Sequence, residues 1–195
     1  MGTSRDLILE AVRDCPAVLV LEASAGDRAA KVARKGASTY RVLLVPTTFA
    51  GGSSSNAVPA LAHLDIDSRA RTEAEQHRVD DAMHALTPHL PGARLEVTGG
   101  IERPPLHRSS SHRLYAVLGE VCDALGVATP EGVEVGGASD GNITAGAGAP
   151  TLDGLGGVGA GAHSDHEHAL IEQIPPRTEV LAALVKRLLE TRVDS

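Results

Sequence analysis

Apolar positions along this chain follow two rhythms, and the rhythm changes several times. From Ser4, residues Leu7, Ile8, Ala11 and Val12 recur at helical spacing, which predicts a helix to about Asp14, capped by Ser4 and stopped by Cys15-Pro16. Ala17-Val18-Leu19-Val20-Leu21 is a continuous apolar run and predicts a strand buried on both faces, with Glu22 at its carboxyl end. Ala30 to Ala33 predicts another short strand, ahead of a basic turn at Arg34-Lys35-Gly36. Thr39 to Ala50 is a long β-prone run whose Pro46 marks an edge or a bulge, and Gly51 to Asn56 reads as a turn. From Leu61 to Arg71 the chain alternates. Leu61, His63, Asp65, Asp67 and Arg69 fall on one face and Ala62, Leu64, Ile66, Ser68 and Ala70 on the other, as in a half-buried strand. Thr72 then caps a predicted helix over Glu73 to Leu86, with Glu75 in the capping-box position and Val79, Ala82, Met83 and Leu86 as its apolar stripe. Leu95 to Thr98 predicts a strand closed by Gly99-Gly100.

Beyond the stiff connector Pro104-Pro105, Ser111 to Leu125 predicts a helix with Leu114, Val117, Leu118, Val121 and Leu125 inward, ended by Gly126. Val133-Glu134-Val135 leads into the stretch from Gly136 to His168. That stretch holds a glycine-bracketed polar turn, Gly136 to Asn142, and the densest group of metal-capable side chains, His163-Ser164-Asp165-His166-Glu167-His168. A Gly/Ala-rich run of this kind reads on composition either as a flexible linker or as a site. Two features count against a linker. Pro150-Thr151-Leu152 is apolar and bounded by turn residues, as a buried strand is, and an amphipathic helix follows from Pro175-Pro176 to about Thr191, with Val180, Leu181, Leu184, Val185 and Leu188 inward.

The elements divide the chain into α/β segments at 1–36 and 101–195 and an α+β insert at 37–100. Composition narrows the function. Aromatics are 2% of the 195 residues, with no Trp, so no stacking platform for nucleic acid is available. Lys and Arg number 18 against 25 Asp and Glu, a net charge of −7, which disfavours a phosphate-backbone binder. Cys15 and Cys122 are too few and too far apart for a disulfide framework or a zinc knuckle. No apolar run is long enough to span a bilayer and no basic-then-apolar signal opens the chain, so a cytoplasmic protein without membrane or nucleic-acid partners is expected.

Three signatures occur in order: VLVLEASAG from Val18 to Gly26, GGSSSNAVPALAHLDIDSRA from Gly51 to Ala70, and GGASDGN…PTLDGLGGVGAGAHSDHEH from Gly136 to His168. Together they resemble the two-zinc metallopeptidase family of glutamate carboxypeptidase, acetylornithine deacetylase and succinyl-diaminopimelate desuccinylase, and the resemblance covers nearly the whole chain. It implies an α/β fold: a partial zinc-peptidase catalytic domain (1–36 and 101–195) with an inserted, incomplete ferredoxin-like α+β lid and dimerisation domain (37–100). It also implies the roles of particular residues. Glu22 and His163 match metal ligands. Asn56 and Arg69 match lid residues that bind the substrate's carboxylate. Gly137, Ala138 and Ser139 match the turn at the substrate's carboxylate end. The implied cofactor is zinc, and the implied activity is that of a hydrolase, a metallo-carboxypeptidase or amidohydrolase acting on N-acyl amino acids or dipeptides with a free carboxylate. A homodimer through the lid is implied as well. Simpler readings stand beside these. Arg69 could pair with Asp67 at the surface, Asn56 could be a turn residue, and His166 and His168 read as non-ligands.

Two departures from the family matter. Its His-x-Asp pair, bridging Asp and Glu-Glu pair have no counterpart ahead of Met1-Gly2-Thr3, and its Gly-x-x-x-His-Ala-Gly turn with the following lid helix is missing after Tyr40-Arg41-Val42. The expectation is a truncated hydrolase fragment, inactive alone, because two ligands do not make a two-metal site and no general base is left. A non-catalytic dimerisation or binding module derived from the family is the alternative.

Overall fold

The computed structural model describes residues 4–24, 29–44 and 62–193. The chain forms two compact units, Met1–Lys35 with Pro105–Ser195, and Gly36–Pro104. The first unit opens with α1 (Ser4–Val12), β1 (Val18–Leu19) and β2 (Ala29–Arg34). The second holds β3 (Gly36–Leu44), β4 (Ala62–Ala70), α2 (Glu73–His84) and β5 (Leu95–Arg103). The chain then returns to the first unit with α3 (Arg108–Leu125), β6 (Glu131–Val135), α4 (Asp140–Gly146), β7 (Thr151–Leu152), β8 (Gly159–Ala160), β9 (His168–Ala169), a single 3-10 turn and α5 (Ile174–Val193).

In the first unit β1 pairs in parallel with β7, and β2 in parallel with β6. Parallel neighbours need long crossovers, and α3 provides one of them, since it lies between β2 and β6 in sequence within the unit. Leu114, Leu118 and Val121 recur at i, i+4 and i+7 on α3 and are buried with Ala30, Val32, Leu152 and Leu184 in one apolar cluster. Each fully buried leucine there contributes roughly 1.5–3 kcal/mol. Gly126 ends α3 at φ 68°, and the Val127 N–H closes the helix on the Cys122 carbonyl at 3.0 Å.

Some expectations change. The run from Ala17 to Leu21 is not buried on both faces: Val18 and Leu19 are half-buried and Leu21 is 60% exposed, because β1 has one neighbouring strand, β7, among the described residues. Val185 on α5 is 41% exposed rather than inward, while Leu184 is fully buried. The sequence from Gly136 to Asn142 is not a free polar turn. Ser139 caps α4, accepting from the Gly141 N–H at 3.1 Å while its own N–H donates to Asn142 Oδ1 at 2.9 Å. A serine followed three residues later by an asparagine satisfies both ends of the helix start in this way.

The second unit is a three-stranded antiparallel sheet in the order β4-β3-β5 with α2. Thr72 caps α2 as expected, accepting from the Glu75 N–H at 3.2 Å. Its deepest residue is polar, however. Gln76 is 2% exposed, whereas Ala82 and Leu86 of the expected stripe are exposed. Gln76 Nε2 lies 3.1 Å from the Ala37 carbonyl, 3.1 Å from Ser38 Oγ and 2.9 Å from the Arg103 carbonyl, next to the register shift between β3 and β5. The amide satisfies backbone groups that the irregular ladder leaves over. Strand β5 also runs through Gly99-Gly100 instead of ending there. Gly99 sits at φ 99°, and a Cβ on it would come within 2.2 Å of the Thr39 carbonyl oxygen, so the glycine bends the strand against β3 without breaking the pairing. Among the described residues no helix is long and apolar enough to cross a membrane.

Candidate functional site

The first unit brings two groups of the predicted residues into order. One is built around Asp153, which follows β7 and is fully buried. Arg34, at the end of β2 and 5% exposed, grips it bidentately with one edge of its guanidinium: Nε lies 2.6 Å from Oδ2 and Nη2 3.2 Å from Oδ1. Ser139 Oγ donates to Oδ2 at 2.5 Å, and the Gly154 N–H donates to Oδ1. Arg34 Nη1 reaches on to the Gly137 carbonyl at 2.9 Å, and Asn142 Nδ2 donates to the Lys35 carbonyl at 3.0 Å. The segment from Gly137 to Asn142 is thereby fastened to the ends of β2 and β7. A Cβ on Gly141 would lie 2.7 Å from Asp153 Oδ2, so only glycine allows this approach.

Of the three residues expected at a substrate's carboxylate, Ser139 is buried with its hydroxyl on Asp153 and its N–H on Asn142. Gly137 is exposed and Ala138 half-buried. Sequence reasoning treated Arg34 as part of a basic turn and passed over Asp153. The available signal was a carboxylate placed directly after a buried apolar run, where an unpaired charge is costly.

The second group surrounds a pocket of about 520 Å³. Its wall includes Ala23 and Ser24 beyond β1, Lys31 on β2, Gly157, Ala162 and His168. Glu22 precedes the first two and His163 follows Ala162, so the segments carrying the two predicted ligands border one pocket. Glu22 is exposed and anchored through its carbonyl, which accepts from the Gly156 N–H at 2.9 Å. A Cβ on Gly156 would meet the Leu21 carbonyl oxygen at 2.3 Å, which explains glycine at this crossing. Arg177 holds the same loop from α5, its Nη2 donating to the Gly154 carbonyl at 2.8 Å.

His163 is exposed and lies at φ 66°, the one non-glycine residue with positive φ among the described residues. Such a conformation is uncommon for a side-chain-bearing residue, and its N–H donates to Glu167 Oε2 at 3.2 Å. His168 Nδ1 lies 3.0 Å from the His166 carbonyl oxygen. Burial pushes the Lys31 amine below its usual pKa, Arg34 adds to that effect, and Asp153 and Glu22 oppose it. Among the described residues no group of three or more His, Cys, Asp or Glu could hold a metal ion.

In the second unit Arg69 stands on β4 with its Nη2 2.7 Å from Asp67 Oδ2, both side chains exposed. A pair in this setting contributes about 0–1 kcal/mol. Asn56 lies outside the described residues.

The sequence profile of Peptidase family M20/M25/M40 matches residues 10–187. Among solved structures the fold is similar to the aminopeptidase PepT of Bacillus cereus, at 14% identity and TM-score 0.68, covering 93% of this chain and 61% of that one. It is similar to the Bacillus subtilis YXEP protein, described as a dinuclear metal binding peptidase, at 15% identity and TM-score 0.74, covering 96% and 62%. A tripeptidase of Staphylococcus aureus matches at 16% identity and TM-score 0.71, covering 94% and 62%. The chain thus spans about three fifths of the length of these structures. No curated protein sequence matches it.

Proposed function

The chain belongs to peptidase family M20/M25/M40, and from that premise we propose that it is part of a zinc-dependent metallo-carboxypeptidase or amidohydrolase acting on N-acyl amino acids or dipeptides with a free carboxylate. The observation that supports this reading most directly is the convergence of the segments bearing Glu22 and His163 on one pocket. A carboxylate and an imidazole are the donor types zinc takes. Gly137, Ala138 and Ser139, together with Asn56 and Arg69, are the proposed contacts for the substrate's carboxylate. Ser139 would act chiefly by holding the turn, since its hydroxyl bonds Asp153. The unit Gly36–Pro104 is the proposed lid, incomplete in its helices, and the proposed surface for a homodimer.

The donor set does not fit a two-metal centre. Zinc in a catalytic site takes about three protein ligands, and the described residues gather no group of that size. No catalytic step is therefore assigned to these residues, and we propose that the chain does not turn over substrate alone. The same observation favours a second reading, a non-catalytic binding or dimerisation module of the same descent. Zinc titration of the full 195-residue chain, followed by assay on a panel of N-acyl glutamates, separates the outcomes. Weak zinc binding and no turnover are expected. Turnover by this chain, or tight binding of two zinc ions, would overturn its proposed inactivity.

A further inference from the structure

We propose that Lys31 anchors the carboxylate of a small organic monoanion in the pocket bordered by β8, β9 and the segment after β1, without the help of a metal. This deepens the proposed function by naming a further residue for the carboxylate of such a ligand, and it rests on the same pocket. Lys31 is held from both sides through its backbone: its N–H donates to the Asp153 carbonyl at 3.0 Å, and the Asp153 N–H donates back to the Lys31 carbonyl at 3.3 Å. Gly154, at φ 74°, leaves room for the lysine's stem. A Cβ there would lie 2.9 Å from Lys31 Cγ. The stem therefore crosses Gly154, and the side chain forms part of the pocket wall.

Lys31 is the one Lys or Arg lining this pocket among the described residues, and no described carboxylate lies within salt-bridge distance of its amine. The other ionisable groups on the wall make contacts of their own. Glu167 Oε2 accepts from the His163 N–H, and His168 Nδ1 lies against the His166 carbonyl. A partly buried ammonium with no described carboxylate in direct contact is stabilised by an incoming anion through a charge-assisted hydrogen bond. Burial already holds this amine below its usual pKa, the direction expected of a cation short of partners.

The wall also limits the ligand. At about 520 Å³ the pocket lies in the size range of small-molecule sites. Its walls are largely glycine and alanine, so the lining itself fixes few polar contacts beyond those of Lys31, Glu167 and His168. Glu167 on the same wall would repel a second negative charge, which favours a single carboxylate over phosphates and dicarboxylates.

The test is isothermal titration calorimetry of the full 195-residue chain with N-acetylglycine in buffer containing EDTA, with N-acetylglycinamide as the uncharged control. Saturable binding of the acid is expected, weakened at least about tenfold in the amide and in Lys31→Met, since each removes one half of a charge-assisted bond. Lys31→Arg should restore part of the affinity. Equal affinity for acid and amide would overturn the proposal without recourse to any variant. So would absence of saturable binding, unchanged binding in Lys31→Met, or binding that appears only when zinc replaces EDTA. That last result would leave the metallohydrolase reading standing while removing the lysine from it.

Discussion

Arg34 and Asp153 are separated by 119 residues and form a doubly hydrogen-bonded ion pair whose side chains are 5% and 0% exposed. The pair joins the end of β2 to the residue after β7, and Ser139 and Gly154 complete the carboxylate's shell. Removing one partner leaves a buried charge uncompensated. Asp153→Ala is expected to cost about 3–5 kcal/mol, several times the effect of Arg69→Ala on the exposed pair with Asp67. The double variant Arg34→Met, Asp153→Leu should recover much of the loss, because neither charge is then left buried. Urea denaturation of the three variants checks this, and a double variant no better than Asp153→Ala would contradict it.

Tyr40 is fully buried and donates to Asp80 Oδ1 at 3.0 Å. Burial raises the phenol above its ordinary pKa of 10.0, and the bond to Asp80 pushes in the same direction. The folded state therefore keeps its proton in a range where the unfolded chain gives it up. Stability should fall as pH rises from the ordinary phenol value upward. Tyr40→Phe removes the titrating group. It should cost about 1 kcal/mol at neutral pH through the lost hydrogen bond, yet show a shallower alkaline loss. Denaturant midpoints of both proteins between neutral and strongly alkaline pH give the comparison. Parallel curves would show that Tyr40 does not contribute to the alkaline slope.

Much of the fold was legible where one local rule dominates. Leu114 and Leu118 of α3, the αL glycine at Gly126, the Thr72 cap and the alternation of β4 each depend on neighbours within a few residues, and each appears where the pattern puts it, whereas Leu125 at the end of α3 is 36% exposed rather than inward. What was not legible depends on distant partners. Gln76 reads as a solvent residue until the irregular ladder around Ala37 and Arg103 is known. Asp153 reads as a loop carboxylate until Arg34 is brought to it. Ser139 reads as a ligand-facing hydroxyl until Asp153 takes its hydrogen bond. For the candidate site, the order of Glu22 and His163 along the chain could be read directly. That both belong to one cleft was an expectation of the resemblance rather than of the spacing, and the presence of Lys31 in the wall of the pocket their segments border was expected from neither.

Gly99 gives a direct test of the strand bend. At φ 99°, with the Thr39 carbonyl 2.2 Å from any added Cβ, Gly99→Ala meets both backbone strain and a steric clash with a neighbouring strand. A cost of at least about 2 kcal/mol is expected. Gly92 has a similar positive φ of 79° with nothing within 4 Å of an added Cβ, so Gly92→Ala should show only the smaller conformational penalty. Thermal denaturation of the two variants side by side isolates the clash from the φ penalty. Equal losses would mean that β3 yields freely at Thr39.

His163 combines an unfavourable backbone with a proposed metal-binding role, and the two can be separated. The left-handed conformation costs a non-glycine residue roughly 1–2 kcal/mol, while glycine adopts it freely but loses more chain entropy on folding. His163→Gly should therefore be neutral or stabilising by up to about 1 kcal/mol. His163→Ala keeps the strained φ of 66° and loses only an exposed imidazole, so it should change stability little. If the imidazole is held in this conformation to present it to a metal, both variants should lose the same fraction of whatever weak zinc binding the chain has, despite their different stabilities. Chemical denaturation and zinc titration on the same preparations decide the matter. A destabilised His163→Gly would mean that the backbone at 163 is not strained, and zinc binding preserved in both variants would remove His163 from the proposed ligand set.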